Sequence, residues 1–496
     1  MFPEVHRSTH QGIPVFWADL PGPLTGTLTF GVGMRDEPAP LMGITHLMEH
    51  LAFRPLEPLV IRHGGVVDHE TVSFYATGEE RAVVAFLNRI ASSLVASGKV
   101  TDEDLAREKA VHHAEDPSGY ERPGAGLLTY RFGHGGIGNK TANDPTISAI
   151  TATELGDWSQ KWLTAENAAL SFTGPPPPGL ELALPSGSVP PHGESVQVAE
   201  SPCLVESAKE GVALSVLAPW ESAFHLADAL RFELQHHLRH ELGLIYSIDT
   251  FVTRVDERAS QLDIVLDPVP DQIAATVEAA VGLVRRVSTD GFSHQAIEHA
   301  RAEIVTSLAW AHTTVAEYVD ALAVGHLTGL IPPTPESLLD SAHALGRDTL
   351  TRVLTGALPS LIVAFDDGAE LDKKWLESSD LPVDRFDAWQ DDRDEPRHHR
   401  ARKGRIWRAR RRGDMPGQWA ILTEDSVKTQ EKGETGSIRF DDLAVLGRRE
   451  CGCLDLVDSR GRSATIDPTD WVQGKDLLDR IVARVPAEIV RTFPSH

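Results

Sequence analysis

The chain has 496 residues, 41% of them apolar and 24% charged, and a formal net charge of −25. That length exceeds one hydrophobic core and implies two to four domains, while the composition excludes global disorder. The acidic balance excludes an extended nucleic-acid interface, because phosphate is repelled over most of the surface, and it favours cationic peptides at the mouth of a cleft. No window reaches the roughly 18 consecutive apolar residues of a membrane span. The first residues lack a basic stretch followed by an apolar one, so no secretory signal is predicted and a cytoplasmic location is expected. The three cysteines, Cys203, Cys451 and Cys453, exclude a disulfide framework. Cys451-Gly452-Cys453 lacks the second pair of a zinc site and reads as ordinary strand residues.

Residues 11–33 alternate and turn as two strands around a Pro-Gly-Pro break. A helix is predicted over 43–53, a glycine turn at Gly64-Gly65 and a strand at 72–76. Helices follow over 79–97, 102–115 and 144–164, the last entered through Asp144-Pro145, and then a strand at 168–174. The order is mixed α/β with antiparallel strands, unlike the regular βαβ alternation of a doubly wound sheet. The run from Gly174 to Ser201, rich in proline and glycine, reads as a linker.

Beyond it the order recurs: strand 211–219, helix 221–242, strands 245–251 and 261–268, helix 271–286, more helices over 294–356, and a closing strand. The expected fold class is therefore α+β, with two duplicated lobes, 1–180 and 201–370, built on mainly antiparallel sheets. Residues 371–417 join an acidic block to a basic one and read as a solvated linker. Residues 418–496, several short strands and one amphipathic helix, form a small β-rich domain that resembles a pleckstrin-homology domain.

His46-Leu47-Met48-Glu49-His50 carries the chemistry. On a helix, i and i+4 share a face, so His46 and His50 can turn two imidazoles to one metal. Glu49 falls on the adjoining face, where a carboxylate can reach a metal-bound water as general base. Catalytic zinc needs three protein ligands and one open position. In a chain with 22 histidines the pentapeptide alone can arise by chance, so its surroundings matter.

The longer stretch from Gly31 to Phe53, GVGMRDEPAPLMGITHLMEHLAF, resembles the inverted-zincin segment of the pitrilysin and insulinase metallopeptidases. The resemblance covers residues 10–370 and is specific at 29–53, 107–115 and 238–247. It implies Glu115 as third ligand to one Zn2+ per chain, with Glu108, two helical turns earlier, orienting a ligand or the base. His112 and His113 are alternative ligands at this stage. The family pattern Gly-Gly-x-x-Asn-Ala-x-Thr is matched here by Gly64, Gly65, Asp68 and Thr71, which the resemblance places on a substrate-pairing strand, with Asp for Asn and His69 for Ala.

In the second lobe, LRHELGLIYS at 238–247 resembles the segment whose arginine and tyrosine hold the substrate backbone and the oxyanion, here Arg239 and Tyr246. Read without the resemblance, Arg239 is a solvated helix-end cation and Tyr246 a strand residue. A rival metal pair, His236 and His240, lacks an acid in the base position. The resemblance is to the half-size bacterial type related to mitochondrial processing peptidase. It implies a zinc endopeptidase that closes its chamber as a homodimer around an unfolded peptide or small polypeptide. The competing expectation is a catalytically silent scaffold or partner subunit.

Overall fold

The computed structural model describes residues 2–56, 60–96, 100–115, 126–139, 146–207, 211–366, 368–385, 404–410, 419–431 and 434–493. Most of the charged segment expected as a linker, including 391–402, lies outside the described residues. No helix among the described residues is long and apolar enough to cross a membrane.

The first lobe runs β1 (Val5–His10), β2 (Ile13–Ala18), β3 (Leu24–Phe30), α1 (Ile44–Phe53), β4 (Arg62–Val67) and β5 (Val72–Gly78), and continues through α2 (Glu80–Ala96), α3 (Asp102–Glu115), α4 (Leu127–Phe132), α5 (Ala152–Trp162) and β6 (Ala168–Phe172). Its six-stranded sheet has the order β1-β2-β6-β3-β5-β4. Every pair is antiparallel except β2 with β6. Strand alternation sends Leu28, Phe30, Phe74 and Ala76 to one face. There they meet the α2 stripe Val83, Phe86, Leu87, Ile90 and Leu94, spaced at three and four residues. Burying a side chain such as Phe86 contributes about 1.5–3 kcal/mol, and truncating it to Ala would cost about 3–5 kcal/mol.

The second lobe runs β7 (Cys203–Ser207), β8 (Val212–Pro219), α6 (Trp220–Leu234), β9 (Ile245–Arg254) and β10 (Ala259–Pro268). It continues with α7 (Ile273–Asp290), α8 (His294–Ser307), α9 (Ala311–Thr328), α10 (Pro335–Ala344), α11 (Arg347–Ala357), β11 (Ile362–Asp366), α12 (Lys373–Ser379) and β12 (Val383–Arg385). Its sheet order is β12-β7-β11-β8-β10-β9. Strands β7-β11-β8-β10-β9 repeat β2-β6-β3-β5-β4 in order and in sense, with the parallel pair β7–β11 standing where β2–β6 stands. The duplication expected from the sequence is a duplication of topology.

The two lobes exchange helices. Leu127 and Tyr130 of α4 pack on Cys203, Val205 and Ala364 of the second sheet. In return, Val315, Val319 and Ala323 of α9 pack on Phe16 and Ala169 of the first. Arg131 is fully buried at this crossing and donates to Gln261 Oε1 and the Ser360 carbonyl, both at 2.9 Å. Burial pulls its guanidinium down to about 10. Tyr130 donates to Asp384 Oδ2 at 2.7 Å.

Several expectations need correction. The helix expected over 144–164 begins at Ala152, because Thr151 and Glu154 form a reciprocal capping box; Asp144-Pro145 lies outside the described residues. The proline-rich run after Gly174 is not a free linker. Leu180 and Leu182 are buried in the first core, and Asn88 brackets the run by donating to the Gly179 carbonyl (2.9 Å) and accepting from Glu181 N (2.8 Å).

The C-terminal region forms two four-stranded sheets. One is β13 (Arg405–Arg408), β14 (Trp419–Leu422), β15 (Ser426–Glu431) and β16 (Glu434–Arg439). The other contains β17 (Leu443–Arg449), β18 (Leu454–Asp458), β19 (Ser463–Ile466) and, after α13 (Gly474–Val482), β20 (Val490–Phe493) parallel to β17. Leu477, Leu478 and Ile481 of α13 share one core with Trp407, Val427, Leu446 and Leu456.

This small domain is seated on the first lobe. Val445 packs with Ala39 and Met42, Ser459 O accepts from His134 N, and Arg491 makes a two-pronged pair with Glu154 at 2.7 and 3.1 Å.

Candidate metal centre

Helix α1 starts from a built N-terminus. Gly43 has φ 90°, in the left-handed region that favours glycine. The buried Glu37 carboxylate accepts from Gly43 N at 2.7 Å and Thr45 N at 2.9 Å. An anion is stable at this end because the first helical N–H groups lack intrahelical acceptors and carry the positive end of the dipole. Asn139 donates to the Glu37 carbonyl. Glu37 was not picked out from the sequence; the acidic turn before Pro38 was its signal.

So anchored, α1 buries Ile44, Leu47, Met48 and Leu51 and turns His46, Glu49 and His50 toward α3 and β4. His46 Nε2 lies 3.2 Å from His50 Nε2 and 3.7 Å from Glu115 Oε2, and His50 Nε2 lies 3.2 Å from the same Glu115 oxygen. Zinc bonds of about 2.0–2.1 Å at tetrahedral angles set donors about 3.3 Å apart, so this triangle fits one zinc ion. Among the described residues, these three form the one group of histidine, cysteine and acidic side chains that could hold a metal.

The surrounding contacts sort the remaining candidates. Glu108 Oε2 faces His50 Nδ1 at 3.8 Å, while its other oxygen accepts from Arg54 at 3.0 Å. His112, left open as a ligand, instead places Nε2 2.9 Å from His46 Nδ1, on the ring edge away from the triangle. His113 does not join the group. Burial holds the His50 imidazole below its ordinary pKa, which favours the neutral, ligating form.

Glu49 Oε2 lies 3.9 Å from His50 Nε2, beside the donors but outside their triangle. Burial pushes its carboxyl up to about 7, with His46 opposing the rise and Glu115 adding to it. Its carboxylate packs against Gly65, where any Cβ would overlap Glu49 Oε1. A cavity of about 120 Å³ opens here between Met34, Glu37, Gly43, His46, Glu49, Gly65 and Val67.

Gly64 and Gly65 lie on β4, one of the two outer strands of the sheet among the described residues. Asp68 and Thr71 close the β4–β5 turn: Asp68 N donates to Thr71 O at 2.8 Å, and Asp68 O accepts from Met34 N at 3.0 Å. The carbonyls of Asp68 and His69 hold the loop leading to α1, and of this set only the glycines lie on β4.

In the second lobe, α6 continues into a π-turn, Gln235–Glu241, that carries Arg239. The Arg239 guanidinium sits 5.8 Å from the ring centre of Tyr246, which is 72% exposed at the start of β9. Among the described residues, no polar or ring contact joins this pair to His46, Glu49, His50 or Glu115. The π-turn also breaks the i,i+4 alignment of the rival pair: the His236 and His240 rings are 6.3 Å apart. His236 and His237 both engage Glu241 instead, at 3.3 and 2.7 Å.

No protein-family profile and no curated protein sequence matches the chain. Solved structures do. A chain of complex III from Candida albicans aligns with TM-score 0.62 at 13% identity, over 75% of this chain and 99% of that one. A peptidase M16 inactive domain from Pseudomonas fluorescens gives 0.60 at 15%, over 74% and 99%. A protease from Helicobacter pylori gives 0.58 at 14%, over 73% and 99%. The chain therefore has the two-lobed, pitrilysin-like α+β fold shared by these proteins, one of them a protease and another an inactive domain.

Proposed function

We propose that the chain is a zinc-dependent endopeptidase acting on unfolded peptides or small polypeptides. The observation that carries the proposal is the triangle of His46, His50 and Glu115 donors with Glu49 beside it. Bound by those three residues, zinc would supply Lewis acidity to a water and to the scissile carbonyl. Glu49 takes a proton from the attacking water and returns it to the leaving amine, a role suited to a carboxylate beside the donors but outside their triangle. The open edge of β4 offers main-chain groups to an extended substrate, as in strand addition. Gly65 keeps that edge close to Glu49.

Arg239 and Tyr246 would hold the substrate backbone and stabilise developing negative charge. Because they do not meet the metal site within one chain, we place them opposite the metal site of a second copy in a homodimer. A cytoplasmic setting goes with this reading.

A second reading has one observation in its favour, since an inactive domain is among the similar structures. In it the chain is a silent scaffold or partner subunit. The complete donor set and the placed base weigh for the enzyme. Metal analysis with a peptide-library digest, run with and without chelator, decides between them. Bound zinc and chelator-sensitive cleavage are expected; a zinc-loaded protein that leaves every peptide intact would establish the scaffold.

A further inference from the structure

The hairpin between β17 and β18 turns through Glu450, Cys451 and Gly452. Arg449 N donates to Cys453 O at 3.0 Å, and Gly452 N donates to Arg449 O at 2.9 Å. Gly452 has φ 93°, which supplies the left-handed residue that a three-residue hairpin loop requires. The turn brings the two sulfurs to 3.0 Å, hydrogen-bond distance for thiols. Cys451 is exposed and Cys453 is buried. Cys451, read from the sequence as a strand residue, is thus a turn residue facing solvent, with a second thiol behind it.

We propose that Cys451 and Cys453 form a reversible thiol–disulfide site that reacts with low-molecular-weight disulfides, Cys451 attacking and Cys453 resolving. The Cys451 thiolate attacks one sulfur of the small disulfide, forming a mixed disulfide and releasing one small thiolate. Cys453 then loses its proton and attacks the Cys451 sulfur, closing the Cys451–Cys453 bond and releasing the second thiolate. Two protein thiols are oxidised and one small disulfide is reduced to two thiols.

The environment divides the roles. Hydrogen bonding from Cys453 holds the Cys451 thiol below its ordinary value, whereas burial, Cys451 and Asp467 push Cys453 up to about 12. The exposed sulfur is therefore the better nucleophile at neutral pH, and the buried one holds its proton until the first bond has formed. Cys203 lies in the buried seam between the lobes and is out of reach of the pair.

The test uses the full chain and oxidised glutathione. After incubation, alkylation and intact-mass analysis, the wild type should lose two hydrogens and keep Cys203 alone alkylatable. Cys453→Ser should accumulate a stable glutathione adduct at Cys451, forming roughly tenfold faster than any adduct on Cys451→Ser. Dithiothreitol should reverse both. Wild-type protein that keeps all three thiols, or equal adduct rates in the two variants, would overturn the proposal. Neither readout depends on zinc or on peptide cleavage.

Discussion

His112 Nε2 stands 2.9 Å from His46 Nδ1, so two imidazoles meet edge to face in series behind one corner of the donor triangle. If His46 Nε2 ligates a metal, its Nδ1 must carry the proton and donate a hydrogen bond to His112 Nε2. Hydrogen-bond partners of this kind fix the tautomer and angle of a ligating histidine. His112→Ala should therefore weaken zinc binding by about 10–100-fold, measured by chelator competition. Unchanged affinity would reduce the contact to packing.

Glu49→Gln removes the proposed base and keeps the three donors. Zinc content should stay at about one per chain, and turnover should fall on the order of 10²–10⁴-fold. Substantial cleavage by the zinc-loaded variant would take the base role from Glu49.

Gly65→Ala tests the approach of β4 to the site. A methyl group there overlaps Glu49 Oε1, so the carboxylate must move while His46, His50 and Glu115 stay. Turnover should drop by about 10²-fold, the scale of a small misplacement of a catalytic group, with zinc content unchanged. Wild-type rates would mean that Glu49 moves freely during turnover.

The proposed dimer predicts complementation. In that reading a Glu49→Gln chain lacks only the base, and a Tyr246→Phe chain lacks only one oxyanion donor. Mixed dimers should recover activity at one of their two sites. An active monomer, sized under assay conditions, would remove this arrangement.

The seating of the C-terminal region predicts an acid-sensitive seam. Burial alone would raise the Glu154 carboxyl, but hydrogen bonds from Arg491 and Thr151 outweigh it and hold the group below the ordinary glutamate value. A depressed folded-state value means that the pair stabilises the seam fully at neutral pH. That contribution is lost as pH falls below about 4.5 and through the folded-state value. Limited proteolysis after residue 385 should accelerate over that window in the wild type and show little pH response in Glu154→Gln. Removing everything after Asp391 exposes Ala39 and Met42 beside the start of α1, so this truncation should lower stability and zinc affinity together.

Much of the first lobe was legible because local signals carry it. The α2 and α3 helices, Glu79–Ser97 and Asp102–Glu115 by sequence pattern, agree with the observed elements to within a residue. His46 and His50 share a face as their i,i+4 spacing suggested, and Glu115, implied by the family resemblance, lies beside them. What escaped was long-range or depended on backbone irregularity. The π-turn at 235–241 changes which faces its histidines share, and no periodicity announces it. The partner of His46 required knowing how α3 lies against α1. Asp68 and Thr71 matched a motif, yet the hairpin uses their backbones. The seat of the C-terminal region rests on Val445, Ser459 and Arg491, each ordinary in sequence and informative only beside its partner in the first lobe.

The exchange of α4 and α9 makes the two halves interdigitate, like clasped hands. Severing the covalent tether at 174–201 would leave each half still holding one of the other's helices against its sheet, so fragments 1–185 and 186–496 should co-purify when made together. Each made alone would expose an apolar strip, Phe16 and Ala169 on one half and Val205 and Ala364 on the other, and should aggregate. For the same reason the halves are expected to melt in one transition.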